Sequence, residues 1–365
     1  MAGREQKIKD LEDELSKMKY NKRTQHHYGL VRAKIAKLKE EQDTKKRGKG
    51  KTFGYDVKRT GDGTVVLVGF PSVGKSTLLN ALTNQESKIG AYEFTTLDVV
   101  PGLLEYRGAK IQILDLPGII RGAAAGKGRG KEILAVVRAS NLIIFLLDVH
   151  QTNHYRVLYD EIFNFGIRVN QKPPQVKITK TSRGGLRIGS TVKLTKITNE
   201  NIQGILKEFK IMNADVLIRE DVDIDRFIDA VEANKAYIYS LIVVNKIDEA
   251  TRQQVDGLRR SYPDAVFVSG KEKINIDELK DRIFERMELI RVYMKEPGKE
   301  ADTKVPLIMW RGCTIEDVCN KLHREFVSKF KFARVWGRSV KFDAQKIMKK
   351  SHQLEDEDIL ELHLN

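Results

Sequence analysis

Gly69-Phe-Pro-Ser-Val-Gly-Lys-Ser76 has the spacing of a phosphate loop: a glycine, four residues, then Gly-Lys-Ser. Thr64-Val-Val-Leu-Val68 before it is a short apolar run that reads as a buried strand, and Thr77-Leu-Leu-Asn-Ala-Leu-Thr83 after it reads as a helix. In that context Gly69 and Gly74 let the backbone turn its N–H groups toward phosphate oxygens, and the helix N-terminus adds partial positive charge. Pro71, Ser72, Val73, Gly74, Lys75, Ser76 and Thr77 are the candidate phosphate-side residues. Lys75 is expected to reach the β- and γ-phosphates, and the Ser76 hydroxyl to hold Mg2+. The bland alternative is a glycine turn before an ordinary helix, and the remaining chain decides between the two.

The 365 residues are enough for two or three domains with real cores. A hydrophobic content of 41% with 32% charged residues fits a soluble protein, and the longest apolar run, Leu142–Leu147, has strand length. The charged N-terminus lacks the apolar segment of a signal peptide. Cys313 and Cys319 are the only cysteines, which argues against a disulfide framework and for a reducing cytoplasm. No membrane association is expected, and a monomer is.

The net charge of +15 is concentrated at the ends. Residues 1–51 hold 16 Lys/Arg against 8 Asp/Glu, and residues 321–350 hold ten against two. In the first region Ile8, Leu11, Leu15 and Met18, then Val31, Ile35 and Leu38, recur at helical spacing. That predicts two amphipathic helices, with Thr24 capping the second. In the second, Phe326, Phe330, Phe332, Trp336 and Phe342 interrupt the basic residues. Such charge is either a solvated face or a polyanion-binding surface.

Beyond the loop the chain alternates strands and helices, as a doubly wound α/β sheet does. Leu103–Tyr106 and Lys110–Leu114 predict a hairpin turned by Arg107-Gly108, and the second run delivers Asp115-Leu-Pro-Gly118. The alternation stalls across 171–234, where a hairpin-like stretch (Val176–Leu194), a helix, a short strand and another helix suggest an inserted α+β module. It resumes with Tyr239–Val244, which leads into Asn245-Lys-Ile-Asp248. The expected organisation is a basic helical region (1–51), a P-loop domain (52–290) interrupted by the module, and a ubiquitin-like α+β tail (291–365).

Each of these motifs supplies a contact that a guanine nucleotide needs. Asp115 would bind the Mg2+ shell, the Gly118 N–H would reach the γ-phosphate, and Thr95 or Thr96, with Thr96 preferred, would close over the metal. The Asp248 carboxylate can accept N–H bonds from guanine N1 and N2, a donor pair adenine lacks. Lys246 would lie along the base, and a backbone N–H of Ser269-Gly270-Lys271 would meet guanine O6.

In this order the motifs resemble those of translation-factor-type GTPases, and the wording Gly-Phe-Pro-Ser-Val-Gly-Lys-Ser, Tyr-x-Phe-Thr-Thr-Leu and Asp-Leu-Pro-Gly-Ile-Ile resembles the Obg superfamily. With the basic helices, the insertion and the tail added, the whole chain resembles the developmentally regulated GTP-binding protein (DRG) family, and the tail is similar to a TGS domain. The resemblance implies a ribosome-associated GTPase using GTP, GDP and Mg2+, with a stabilising partner of the DRG-family regulatory type. Lys75, Thr96 and Gly118 would then be its catalytic residues. Ile119 stands where Ras-like GTPases carry the glutamine that orients water, so hydrolysis should be slow alone. Relatives with this replacement often use K+ through an Asn at the fourth loop position, and Ser72 is a poorer ligand there. Arg121, Lys127 and Arg129 are alternative sources of positive charge.

Two rivals remain: an Obg-related ATPase, which Asp248 argues against, and a nucleotide-binding RNA scaffold with negligible hydrolysis, which Ile119 keeps open. Cys313, Cys319 and His323 offer three zinc ligands where a structural site usually needs four, so core thiols and a surface histidine are expected. Asp221, Asp223 and Asp225 suit a helix cap better than catalysis.

Overall fold

The structure, a computed structural model, describes residues 2–19, 21, 24–46, 61–83, 100–116 and 130–365. The chain divides into two bodies, one joining the N-terminal region to Gln171–Tyr237 and one holding the remainder. In the first body, helices α1 (Ala2–Lys17) and α2 (Gln25–Lys46) bury Ile8, Val31 and Ile35 against Leu11, Leu15 and Leu38, the apolar stripe expected from their spacing. Thr24 immediately precedes α2 but its hydroxyl does not cap it. Thr24 Oγ1 instead accepts from Asn21 N at 3.0 Å and donates to Lys19 O at 2.8 Å.

In the second body, β1 (Gly63–Val68) leads through the phosphate loop into α3 (Lys75–Leu82). There follow β2 (Val100–Tyr106), β3 (Ala109–Asp115), α4 (Gly130–Ala139), β4 (Leu142–Asp148), α5 (His154–Asn164) and the short β5 (Ile167–Val169). The β2–β3 hairpin forms as expected. Arg107 at φ 50° and Gly108 at φ 82° both take the left-handed conformation that a two-residue turn matched to strand twist requires. β3 runs parallel to β1, so Asp115 emerges beside the phosphate loop.

Residues 171–237 return the chain to the first body: β6 (Val176–Lys180), β7 (Leu186–Ser190), α6 (Asn199–Glu208), β8 (Ala214–Ile218) and α7 (Ile224–Glu232). The hairpin expected over Val176–Leu194 is not there. β8 lies between β6 and β7, antiparallel to the first and parallel to the second. Burial explains the order: β8 buries Ala214, Val216 and Ile218, whereas Lys177 and Thr179 on β6 and Arg187 and Gly189 on β7 are exposed, as edge strands tolerate.

Helix α2 packs on this module. Ala33, with Tyr28 and Ala36, joins the core of Ile202, Ile205, Val216 and Phe227. Arg32 pairs with Asp225 at 2.8 Å, and Lys37 Nζ donates to Glu208 O at 2.6 Å. Lys39 is bound to Glu12 at 2.8 Å. Part of the N-terminal basic charge is therefore spent inside the body. The three aspartates are structural: Asp223 caps α7 through Arg226 N at 2.8 Å, Asp221 accepts from Thr195 N at 2.8 Å, and Asp225 holds Arg32.

Back in the second body come β9 (Ala236–Asn245), α8 (Arg252–Ser261), β10 (Val266–Phe267) and α9 (Ile276–Arg286). The sheet order is β10-β9-β4-β1-β3-β2, with β5 also on β9, and only β2 of the ordered path antiparallel to its neighbour. Continuous runs such as Leu142–Leu147 are buried on both faces, as a helix-covered parallel sheet requires.

The tail continues as β11 (Leu289–Lys295), β12 (Leu307–Trp310), α10 (Ile315–Leu322), α11 (Arg324–Lys329), β13 (Phe330–Trp336), β14 (Gln345–Ile347) and β15 (Asp358–Leu364), in sheet order β12-β11-β15-β13-β14. Its Ile308 belongs to the core of the P-loop domain, and Lys321 meets Asp62 at 3.2 Å. Cys313 and Cys319 are core thiols whose burial pushes their pKa up, Cys313 to about 11. His323 is exposed and accepts from Glu325 N at 3.3 Å, capping α11. Among the described residues no group of His, Cys, Asp or Glu could hold a metal by itself.

Candidate nucleotide site

β1, β3, β4 and β9 are parallel, so their C-terminal ends open on one edge of the sheet, where such folds bind ligands. The loop after β1 is held there by close approach. A Cβ on Gly69 would lie 2.7 Å from Leu146 O, and one on Gly74 would lie 2.5 Å from Asn245 Nδ2. Gly74 (φ 87°) and Ser72 (φ 64°) supply the left-handed turns that wrap the loop, Val73 is buried beneath it, and Pro71 and Ser72 are exposed. No side chain caps α3, which leaves its first N–H groups to the loop concavity. Thr77 is exposed on the first turn.

Lys75 Nζ donates to Gly69 O and Phe70 O, both at 3.2 Å, so the ammonium already lies along the loop. Burial lowers its pKa, an effect Asp115 partly offsets. Ser76 Oγ donates to Asp115 Oδ2 at 2.8 Å, which brings an oxygen from the first turn of α3 and one from the end of β3 to one point. A hydroxyl and a carboxylate suit a small oxygen-seeking cation that takes its other ligands from water and phosphate, as Mg2+ does.

On the base side one buried amide ties two loops together. Asn245 Nδ2 donates to Val73 O at 2.9 Å, and its Oδ1 accepts from Gly270 N at 3.0 Å. Lys246 is left-handed at φ 66° and starts the 3-10 turn Ile247–Glu249, on which Asp248 is exposed. Its ammonium meets Asp148 Oδ2 at 2.8 Å. Ser269 is fully buried and accepts from Glu272 N at 3.0 Å. A Cβ on Gly270 would come within 3.3 Å of the Leu78 backbone, so the third loop packs against α3, and Lys271 beside it is exposed.

The structure thus gathers residues 71–77, Asp115, Asn245, Lys246, Asp248 and residues 269–271 around one edge of the sheet. Thr95, Thr96, Gly118, Ile119, Arg121, Lys127 and Arg129 lie outside the described residues. Sequence reasoning missed Asp148, whose only signal is that it ends the apolar run 142–147. It also missed the bridge made by Asn245, which no spacing announces.

Comparison with known proteins bears on the same residues. A model described as a 50S ribosome-binding GTPase matches residues 64–180, the C-terminal region of the MMR_HSR1 domain matches 183–289, and a TGS domain matches 290–364. An uncharacterised GTP-binding protein of Methanocaldococcus jannaschii is 50% identical over 365 residues, covering 99% of this chain and 93% of that protein. Developmentally-regulated GTP-binding protein 1 of Xenopus laevis is 42% identical over 366 residues, covering 99% of each. Among solved structures, a GTP binding protein from Pyrococcus horikoshii matches with a TM-score of 0.44 at 12% identity, over 83% of this chain and 100% of that one. The chain belongs to the developmentally regulated GTP-binding protein family, P-loop GTPases with a C-terminal TGS domain.

Proposed function

We propose that this protein is a GTP-hydrolysing switch, slow by itself, that acts with the ribosome or other RNA-rich machinery. The observation that carries the guanine part is the Asn245 bridge, which locks the base loop to the phosphate loop and so fixes Asp248 relative to the phosphates. In this reading Asp248 accepts from guanine N1 and N2, Lys246 lies along the base, and an N–H of Ser269-Gly270-Lys271 meets O6. Residues 71–77 bind the phosphates through backbone N–H groups, with Lys75 on the β- and γ-phosphates. Ser76 and Asp115, with Thr96, would hold Mg2+, which would neutralise negative charge on the phosphates. Ile119 offers no hydrogen bond to water, so the remaining catalytic group comes from K+, from a basic residue of the chain, or from an activating partner.

A passive Ile119 has a direct consequence. Ile119→Ala should change multiple-turnover phosphate release by less than about threefold, since no transition-state bond is removed. A loss well beyond that would show that the isoleucine bulk positions the reacting groups. Running the assay in potassium and in sodium shows whether Ser72 suffices for a monovalent cation.

The ribosomal part rests on the family description and on the basic tail. Lys331, Arg338, Lys341, Lys346 and Lys349 are exposed there. The rings offer less than their number suggests: Phe326 and Phe330 pack against the core, and Phe332 stacks on His363 with centroids 4.1 Å apart. Trp336 is half-buried beside Lys295, and Phe342 is exposed. Backbone attraction to RNA should therefore outweigh base stacking. Arg334 is unsuitable for charge reversal because it neighbours the buried Glu361, and Lys329 is bound to Glu325. Deleting residues 1–51 is also uninformative, since it strips Ala33 and Tyr28 from the module core. Changing Lys331, Arg338 and Lys341 to Glu should weaken binding to ribosomal RNA fragments. It should also reduce the slope of log K against log salt by about two to three between roughly 50 and 200 mM. An unchanged slope would assign this patch to a protein partner, such as a regulatory protein of the DRG type.

A further inference from the structure

We propose that Asp148 is a positioning residue of the guanine subsite, holding the Lys246 side chain in place beside the base. The proposal rests on reading Asn245–Asp248 as the base loop. Asp148 is the last residue of β4 and lies in register with Asn245 at the end of β9, one residue before the lysine. Its two carboxylate oxygens have separate partners. Oδ1 accepts from His150 N at 2.9 Å, which fixes the carboxylate on the turn after β4, and Oδ2 receives Lys246 Nζ at 2.8 Å. The pair is partly shielded, with the Asp148 side chain 14% exposed and that of Lys246 27%.

The strand ends do not need this ion pair to stay together. Their ladder runs to Asp148 and Asn245, and Val149 N donates to Asn245 O at 3.1 Å. What the pair does fix is the direction of a long, flexible stem. Lys246 leaves a left-handed backbone at the start of the 3-10 turn, and an untethered lysine there would sample many rotamers that must be lost when a base packs on it. Charge supports the same picture. Burial pushes the Asp148 carboxyl upward, but the bonds from Lys246 and the His150 N–H outweigh it and hold the group below its usual range. The hydrogen bond to Asp148 in turn raises Lys246, so both stay charged at neutral pH.

The test uses the full chain and fluorescent GDP and GTP. Asp148→Ala should weaken both nucleotides about tenfold, mainly through faster dissociation, and raise KM for GTP. Because the lysine stem touches the base face and no guanine-specific atom, inosine and xanthosine nucleotides should weaken by the same factor. Asp148→Asn keeps an acceptor for His150 but loses the charge, so it should behave like Asp148→Ala while melting like the parent. Asp148→Ala added to Lys246→Met should cost nothing further. Parent-like dissociation in Asp148→Asn, or additive losses in the double variant, would overturn the proposal. Equal GTP and ATP affinity in the unmodified protein would instead overturn the base-loop reading beneath it.

Discussion

Lys75→Ala should abolish tight GTP binding, weakening it by about 100-fold or more. The ammonium is partly desolvated within the loop and, among the described residues, donates to two neutral carbonyls, Gly69 O and Phe70 O. Nucleotide phosphates would replace these with bonds in which both partners are charged, worth about 1.5–3 kcal/mol each. Two such bonds amount to roughly 3–6 kcal/mol, or at least about two decades in affinity. GDP should suffer less than GTP because it lacks the γ-phosphate. Equilibrium titration of both nucleotides, with a melting curve to show that the loop still folds, checks the expectation. Parent-like GTP affinity would mean that the loop does not hold the phosphates.

Asp248→Asn should weaken GTP at least about tenfold and improve xanthosine triphosphate. The carboxylate is exposed on its 3-10 turn, three residues after the buried Asn245 bridge that ties this loop to the phosphate loop. An amide presents one acceptor and one donor. It therefore mismatches the two N–H groups of guanine but complements the 2-keto group of xanthine. Competition between the two nucleotides on parent and variant reads this directly. If GTP weakens and xanthosine triphosphate weakens equally, Asp248 supports the loop without reading the base.

Much of the site was legible because its contacts are local or sit on strand ends. Gly69–Ser76 carries its own geometry, and Asp115 and Asn245 follow apolar runs whose parallel alignment brings both out on one edge of the sheet. The misreadings arose where tertiary contacts chose among locally equal options. Val176–Leu194 has the pattern of two strands with a turn, yet the more apolar Ala214–Ile218 takes the central position between them. Val31 and Ile35 announced a buried helical face, but nothing in their spacing showed that α2 would place Arg32 on Asp225 and Ala33 in the module core. The same holds for the aromatic residues of the tail: composition paired them with basic residues, while packing turned Phe330 inward and set Phe332 on His363. Asp148 escaped notice because an acid at a strand end is ordinary until its partner across the sheet is known.

The most direct test of the central claim is multiple-turnover phosphate release in Mg2+, with GTP or ATP supplied in excess to the 365-residue chain. The account expects more than one phosphate per chain from GTP, at a slow rate, and essentially none from ATP. Equal turnover of ATP, or release of less than one phosphate per chain from GTP, would contradict it.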